Sequence, residues 1–175
     1  MIRHSRTDEG LSLIELIVVV LLLGILGSGI ALIFTNSWRA QNEVTTTTQA
    51  TNRGQLIGQT IERAVRNGVC LDVPDANTLR VQTVYPAGDS RRYQKFWIAS
   101  GNAYMARGAT TSLPSPGPWA ERVVLVAGSS QFFKLSPDKK TVTYAISLQT
   151  DAAPVTISGS VSLRDNSGGP TPCWS

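Results

Sequence analysis

Residues 11–34 form an apolar run that contains a single charged side chain, Glu15. As an α-helix this run would be about 36 Å long, enough to cross a hydrocarbon core of roughly 30 Å with some tilt. The pattern therefore predicts a transmembrane helix. An ionised glutamate inside such a span costs about 2 to 3 kcal/mol on insertion scales, so we expect a cation to meet Glu15.

Residues 1–10 form a short polar leader in which Arg3 and Arg6 favour the cytoplasmic side of a membrane. The rest of the chain is then expected outside the cytoplasm, anchored by one span. Two interpretations of the leader stay open. The segment is either an uncleaved signal anchor, or it is cut after Gly10 and leaves a new α-amino group on Leu11. That ammonium would lie four residues from Glu15 and would pair with Glu15 of an adjacent copy.

Residues 35–68 are predicted to continue the helix beyond the membrane. Four apolar side chains recur on one helical face: Ile57, Ile61, Ala64 and Val65. Asn67-Gly68 is a typical stop signal. Ala50, Gly54 and Gly58 form a row of small residues that would let a sheet or another helix approach closely, although the poor helix propensity of residues 45–48 also suits a flexible linker.

Residues 69–163 change to short β-type runs separated by turn residues, which predicts antiparallel meanders. The predicted strands are Leu79 to Tyr85, Tyr93 to Ala99, Ala103 to Arg107, Arg122 to Ala127, Gln131 to Leu135, Thr141 to Leu148 and Val155 to Leu163. The proline-rich residues 108–118 suggest a surface loop, and residues 164–175 a C-terminal tail. The fold class is therefore α+β, with a long apolar N-terminal helix packed on an antiparallel β-sheet head.

The composition removes most catalytic chemistry. The one histidine of the chain is His4, in the leader, so the remainder has no histidine for a nucleophile system, a general base or a zinc site. Phosphate-binding glycine motifs are absent from the sequence, and Asp72 and Asp75 are interpreted as solvated residues of a strand end and turn. We expect no enzyme, no cofactor and no metal site. The formal net charge of +4 is spread along the chain and names no partner.

Both cysteines, Cys70 and Cys173, fall in the part expected outside the cytoplasm, where disulfides persist. A bridge between them would close a loop of about 100 residues and add on the order of 4 kcal/mol by the chain-entropy model. It would also tether the tail. Two separate free thiols are the alternative.

Gly10 and the sixteen residues after it, LSLIELIVVVLLLGIL, resemble the processing and assembly segment of type IV pilins and type II secretion pseudopilins. The resemblance implies that a prepilin peptidase cleaves after Gly10 and N-methylates Leu11, and that Glu15 recruits the subunit into a filament. Leu11 stands where this family usually has phenylalanine, and Leu32 where many major pilins carry a helix-breaking proline. Gly24, Gly27, Ser28 and Gly29 either loosen the helix there or allow close packing of helices.

The later sequence resembles minor pilins and pseudopilins of the J or W type, in the helix end at residues 59–68 and the late strand at residues 161–166. This resemblance implies a minor subunit that joins other pilins and primes a type IV pilus or a secretion pseudopilus. Its location would be the inner membrane first, and then a cell-surface or periplasmic filament. The sequence does not separate pilus from secretion system.

Basic and aromatic residues interleave in one segment, at Arg91, Arg92, Lys95 and Trp97. Such interleaving suits a platform for single-stranded nucleic acid, as in a competence pilin; an adhesive tip subunit is a further alternative. Ordinary strand alternation explains the same pattern, with Tyr93, Lys95 and Trp97 on one face and Gln94, Phe96 and Ile98 on the other. Trp119 and Trp174 are interpreted either as exposed anchors or as aromatic rings that pack under loops.

Overall fold

The computed structural model describes residues 13–85, 90–164 and 174. Its first element is a single α-helix, α1 (Leu13–Arg66), that runs without interruption through the three glycines at 24, 27 and 29 and the threonines at 45–48. Threonine hydroxyls bond back to the preceding turn, as from Thr35 to the Ala31 carbonyl at 3.1 Å and from Thr51 to the Thr47 carbonyl at 2.8 Å. The predicted extension of the helix to about Asn67 is confirmed.

The chain divides into two compact units at Asn42 and Glu43, within α1. The described part of the first unit, residues 13–42, is entirely helical. The second unit contains the rest of α1 and every described strand.

Within the part of the chain that the structure describes, nine strands follow α1 and form two antiparallel sheets. The first sheet is a five-stranded meander in chain order: β1 (Gly68–Asp75), β2 (Thr78–Tyr85), β3 (Ser90–Ala99), β4 (Asn102–Gly108) and β5 (Ala120–Glu121). The second contains β6 (Val123–Val124), β7 (Phe133–Leu135), β8 (Thr141–Leu148) and β9 (Val155–Ser162). There β8 is central and pairs with the other three, in full register with β9 from Thr141↔Ser162 to Leu148↔Val155. The α+β fold class and the antiparallel meander are confirmed.

Three of the strand predictions need correction. Strand β3 begins at Ser90, three residues before the predicted start at Tyr93. The strand predicted at Arg122 to Ala127 is formed only at Val123–Val124. It cannot start at Arg122, because a φ of 60° at that residue breaks the extended backbone. The pairing ends at Val124, which faces Ser147. The strand predicted at Gln131 to Leu135 begins only at Phe133.

Strand β1 was not among the predicted strands, because its sequence GVCLDVPD contains a proline and two aspartates that are unfavourable in strands. The structure accommodates them at a register shift between Asp72 and Asp75, the irregular end of the strand. Strand β5 was also missed, since two residues carry no periodicity.

The small-residue row of α1 lies against the second sheet. Ala50, Gly54 and Gly58 are buried, and a Cβ atom built on Gly54 would lie 2.5 Å from Cγ1 of Ile157. One on Gly58 would lie 2.9 Å from the hydroxyl of Tyr144. The row therefore exists because β8 and β9 approach the helix backbone, which confirms the close approach of a sheet. Ile57, Ile61, Ala64 and Val65 join the same core, as predicted.

One residue, Asn67, connects the end of α1 to the start of β1. The Asn67 amide still bonds to the Arg63 carbonyl at 3.2 Å, and Gly68 already belongs to the strand. Gly68 does not have a positive φ, so the left-handed helix cap is not what requires glycine here. A Cβ on Gly68 would meet Cγ1 of Val81 at 2.9 Å and the Val65 carbonyl at 3.0 Å. Glycine is required by close packing at this corner.

Candidate functional site

Glu15 lies in the first described turn of α1, on the most apolar part of the chain. One or two helical turns further on, Val18, Val19 and Leu22 share its face, and all three are exposed, with 46%, 46% and 55% of their surface accessible. An 18-residue stretch of α1 has a mean hydropathy of 3.0, and none of it is buried within the protein. By length and composition, the helix is able to cross a membrane. Glu15 is thus a carboxylate set in an uncovered apolar surface.

The described part of the chain offers Glu15 no cation. Three ion pairs form among residues 13–85 and 90–164, and none includes Glu15. The next charged residue along α1 is Arg39, about 36 Å away along the helix axis at 1.5 Å per residue. A partner for Glu15 has to come from outside the described helix, either from residues before Leu13 or from another molecule.

An aromatic pair near the far end of the apolar run had not been noticed in the sequence. Phe34 and Trp38 contact each other with ring centroids 5.9 Å apart, and Arg39 follows directly. A tryptophan next to a cation is typical of the boundary between bilayer and water. The spacing of Phe34 and Trp38, one helical turn apart, was the available signal.

The cleavage and methylation residues, Gly10 and Leu11, lie outside the described residues, so processing stays a prediction. Further along α1, Gly24, Gly27 and Gly29 have no neighbouring atom within 4 Å of an added Cβ. The helix does not loosen there, and Ser28 bonds back to the Ile25 carbonyl at 2.8 Å. The structure therefore does not show the interpretation in which these glycines loosen the helix.

Cys70 lies on β1 and has no free thiol. Its predicted partner, Cys173, lies outside the described residues, so the pairing stays a prediction. The position of Trp174, the residue after Cys173, supports this pairing. Trp174 packs edge-on against Tyr93 on β3, with ring centroids 5.0 Å apart. Tyr93 stands opposite Gln82 on β2, and Gln82 stands opposite Cys70 on β1, so Trp174 lies over the part of the sheet that contains Cys70.

The basic and aromatic segment forms part of β3. By strand alternation Arg91, Lys95 and Trp97 share one face and Arg92 lies on the other, so the structure does not bring the four candidate nucleic-acid residues together. Trp97 stacks on Tyr104 at 5.2 Å with an interplanar angle of 12°, and the Lys95 ammonium lies 4.8 Å from the centre of the Trp97 ring. Both contacts engage the Trp97 ring within the protein.

The two tryptophans beside prolines pack internally. Trp119 contacts Phe96 with centroids 6.2 Å apart, and its amide bonds to the Ala103 carbonyl at 2.7 Å. Trp174 contacts Tyr93 and lies under the Arg80 guanidinium at 5.5 Å. Both rings therefore pack against side chains of the first sheet.

Comparisons with known proteins gave one similarity in structure and none in sequence. No protein-family model matches the chain, and no curated protein matches it. Among solved structures, the chain is similar to a type IV-like pilin from Thermus thermophilus, with 9% sequence identity and a TM-score of 0.45. The similarity covers 66% of this chain and 97% of that one. The role of the chain is therefore argued from its own residues.

Proposed function

We propose that this chain is a minor subunit of a type IV pilus or of a type II secretion pseudopilus. A prepilin peptidase would cut it after Gly10, and residues 11–34 would hold it in the inner membrane until it enters a bundle of similar helices. The head would then contact neighbouring subunits. Methylation of Leu11 belongs to the same proposal.

The observation that carries the proposal is the carboxylate of Glu15 on an exposed apolar helix, without a cation partner among residues 13–85 and 90–164. Leucine and valine side chains gain little when they move from lipid into a helix bundle, because lipid tails are equally apolar. A carboxylate gains much more if the bundle supplies a cation that lipid does not. A new α-amino group on Leu11 of a neighbouring copy would be that cation, and pairing with it would fix how far one helix is displaced along the next.

Within residues 13–85 and 90–164, no group of three histidine, cysteine or acidic side chains is arranged to hold a metal. The subtype, minor pilin or pseudopilin, rests on the resemblance of residues 59–68 and 161–166 to proteins of the J and W type.

A head that binds DNA is not proposed, because no specific observation favours it. The stacking residue Trp97 is engaged by Tyr104 and Lys95, and Arg92 lies across the sheet from the other basic residues. An adhesive tip role likewise has no residue that argues for it.

The test is the intact mass and terminal sequence of the protein from two fractions of the native host, membranes and sheared surface filaments or pseudopili. We expect a product that begins at Leu11, with or without one methyl group, in both fractions. Gly10→Val should leave the full-length precursor in the membrane and none in the filament. A filament fraction that contains the chain with its first ten residues attached would refute the proposal.

A further inference from the structure

An open groove of about 1020 Å³ lies between the last three turns of α1 and the first sheet, in the second compact unit. Four arginines line it: Arg63 and Arg66 from α1, Arg107 from β4 and Arg164 just after β9. We call it the arginine groove. No acidic side chain is among its described lining residues.

The positive charge of the arginine groove is hardly compensated within the described residues. Arg66 pairs with Glu62 at 3.3 Å, but the other oxygen of that carboxylate already accepts a hydrogen bond from Tyr144. Arg63, Arg107 and Arg164 have no carboxylate partner in the described chain. Two other arginines of the head do have one, Arg80 with Asp72 and Arg122 with Asp151, whereas the exposed Arg53, Arg91 and Arg92 have none among the described residues.

Helix stabilisation explains only part of this cluster. Arginines in the last turn of a helix interact favourably with its carbonyl end, which accounts for Arg63 and Arg66. Arg107 and Arg164 come from other elements, and bringing them to the same groove adds repulsion among like charges. An anion in the groove would remove this repulsion, and guanidinium groups are suited to bind carboxylate or phosphate through paired hydrogen bonds.

The remaining lining residues indicate which anion fits. Leu56 and Val84 leave 53% and 37% of their surface exposed, and Met105 and Trp119 are partly buried beside them. Apolar side chains of different shapes, methionine among them, suit the side chains of a peptide. A single-stranded nucleic acid would need exposed ring faces for successive bases, and the one aromatic ring described here, Trp119, packs against Phe96.

We propose that the arginine groove binds an acidic peptide segment of another protein, in which carboxylates alternate with large apolar side chains. Its arginines would hold the carboxylates, and Leu56, Val84 and Met105 would contact the apolar side chains. The site does not require the chain to be a filament subunit.

Binding is measured by fluorescence anisotropy with the full chain in non-ionic detergent micelles, with empty micelles as the baseline. The probe is a labelled twelve-residue peptide in which glutamate alternates with leucine. We expect saturable binding that weakens as salt is raised, and at least tenfold weaker binding of a peptide with glutamine in place of glutamate.

The groove variant is Arg63→Gln/Arg107→Gln/Arg164→Gln, which leaves the Glu62–Arg66 pair intact. We expect it to bind the peptide at least tenfold more weakly. The matched control, Arg53→Gln/Arg91→Gln/Lys134→Gln, removes the same charge from exposed positions outside the groove and should change binding less than twofold. All six side chains are exposed, so the thermal midpoint of the head should not move. Leu56→Gln, which changes no charge, should also weaken binding.

Three results would overturn the proposal. The first is that the peptide does not bind. The second is that the two triple variants lose binding equally, which would mean attraction by net charge alone. The third is that an oligothymidylate of equal charge binds more tightly than the peptide and depends on the groove arginines. The last result would reassign the groove to nucleic acid. None of these outcomes bears on whether Gly10 is cleaved.

Discussion

The hydroxyl of Tyr144 on β8 donates a hydrogen bond of 3.0 Å to Oε1 of Glu62 on α1. Tyr144 is 2% exposed and the Glu62 side chain 36%, so this bond joins the helix to the second sheet at the edge of the core. Burial raises the pKa of Tyr144 to about 12, with further contributions from the hydrogen bond to Glu62 and from its negative charge. The folded protein therefore holds this proton more tightly than the unfolded chain does.

We predict that Tyr144 makes stability dependent on pH in the alkaline range. Because its pKa is raised from 10.0 to about 12 on folding, its contribution is complete below about pH 10 and is lost as the pH rises through 12. Tyr144→Phe should lower the free energy of unfolding by about 1 to 2 kcal/mol at pH 8. Between about pH 10 and 12 the wild type should lose up to about 2 to 3 kcal/mol relative to the variant.

Urea unfolding of the head, followed by tryptophan fluorescence at a series of pH values, measures this difference. Tyr104→Phe is the control, because Tyr104 is partly exposed and makes no described hydrogen bond through its hydroxyl. A difference between wild type and Tyr144→Phe that stays constant from pH 8 to 12 would contradict the assignment.

Gly159→Ala is predicted to destabilise the head. Gly159 stands opposite Tyr144 in the β8–β9 register, and an added Cβ would lie 2.6 to 2.9 Å from three atoms of the phenol. The ring would have to move away from Glu62, at a cost of about 1 to 3 kcal/mol from overpacking. Thermal unfolding should show this loss, and Gly117→Ala, where nothing lies within 4 Å, should be close to wild type. A fully stable Gly159→Ala would show that the contact between Tyr144 and β9 is loose.

Glu15→Leu and Glu15→Gln should insert into the membrane at least as well as wild type, since each removes a charge from an apolar span. Both should be incorporated into filaments at least tenfold less, which corresponds to about 1.4 kcal/mol of lost pairing. Quantitative immunoblots of membrane and sheared-filament fractions give the ratio. Glu43→Gln serves as the control, because Glu43 lies on the same helix outside the apolar run. Normal incorporation of either Glu15 variant would exclude the pairing with a neighbouring α-amino group.

Cys70→Ser and Cys173→Ser should destabilise the head equally if the two cysteines are bonded to each other. The expected loss is on the order of 4 kcal/mol for a loop of about 100 residues, and the double variant should be no worse than either single one. Urea unfolding with and without dithiothreitol tests this, since reductant should weaken only the wild type. Unchanged stability of Cys173→Ser would exclude the intrachain bridge, because Cys70 and Cys173 are the two cysteines of the sequence.

The sequence predicted the elements whose pattern is long and regular. Thr141–Leu148 was predicted to the residue, since eight positions alternate between buried and less buried side chains over most of their length. The helix end at Asn67-Gly68 was predicted correctly, although the reason differs: Gly68 is needed for packing against Val81 rather than for a left-handed backbone.

The division into two sheets was not predicted, because alternation shows which face of a strand is buried but not which strand lies beside it. The arginine groove was missed for a similar reason. Arg63 and Arg66 are neighbours on α1, but Arg107 and Arg164 are far from them in the chain, and only the fold brings the four together. By contrast, Glu15 could be recognised from sequence alone, because its apolar surroundings are contiguous along the chain.

The corner at Asn67 leaves the backbone no slack between α1 and β1. One residue inserted or removed there would disturb the close packing of Gly68 against Val81 and the Val65 carbonyl. A cysteine label or an epitope tag is therefore best kept away from this junction and placed in the proline-containing loop between β4 and β5, where Gly117 and its neighbours have free space. The site least suited to engineering in this protein is the single-residue link between its helix and its first strand.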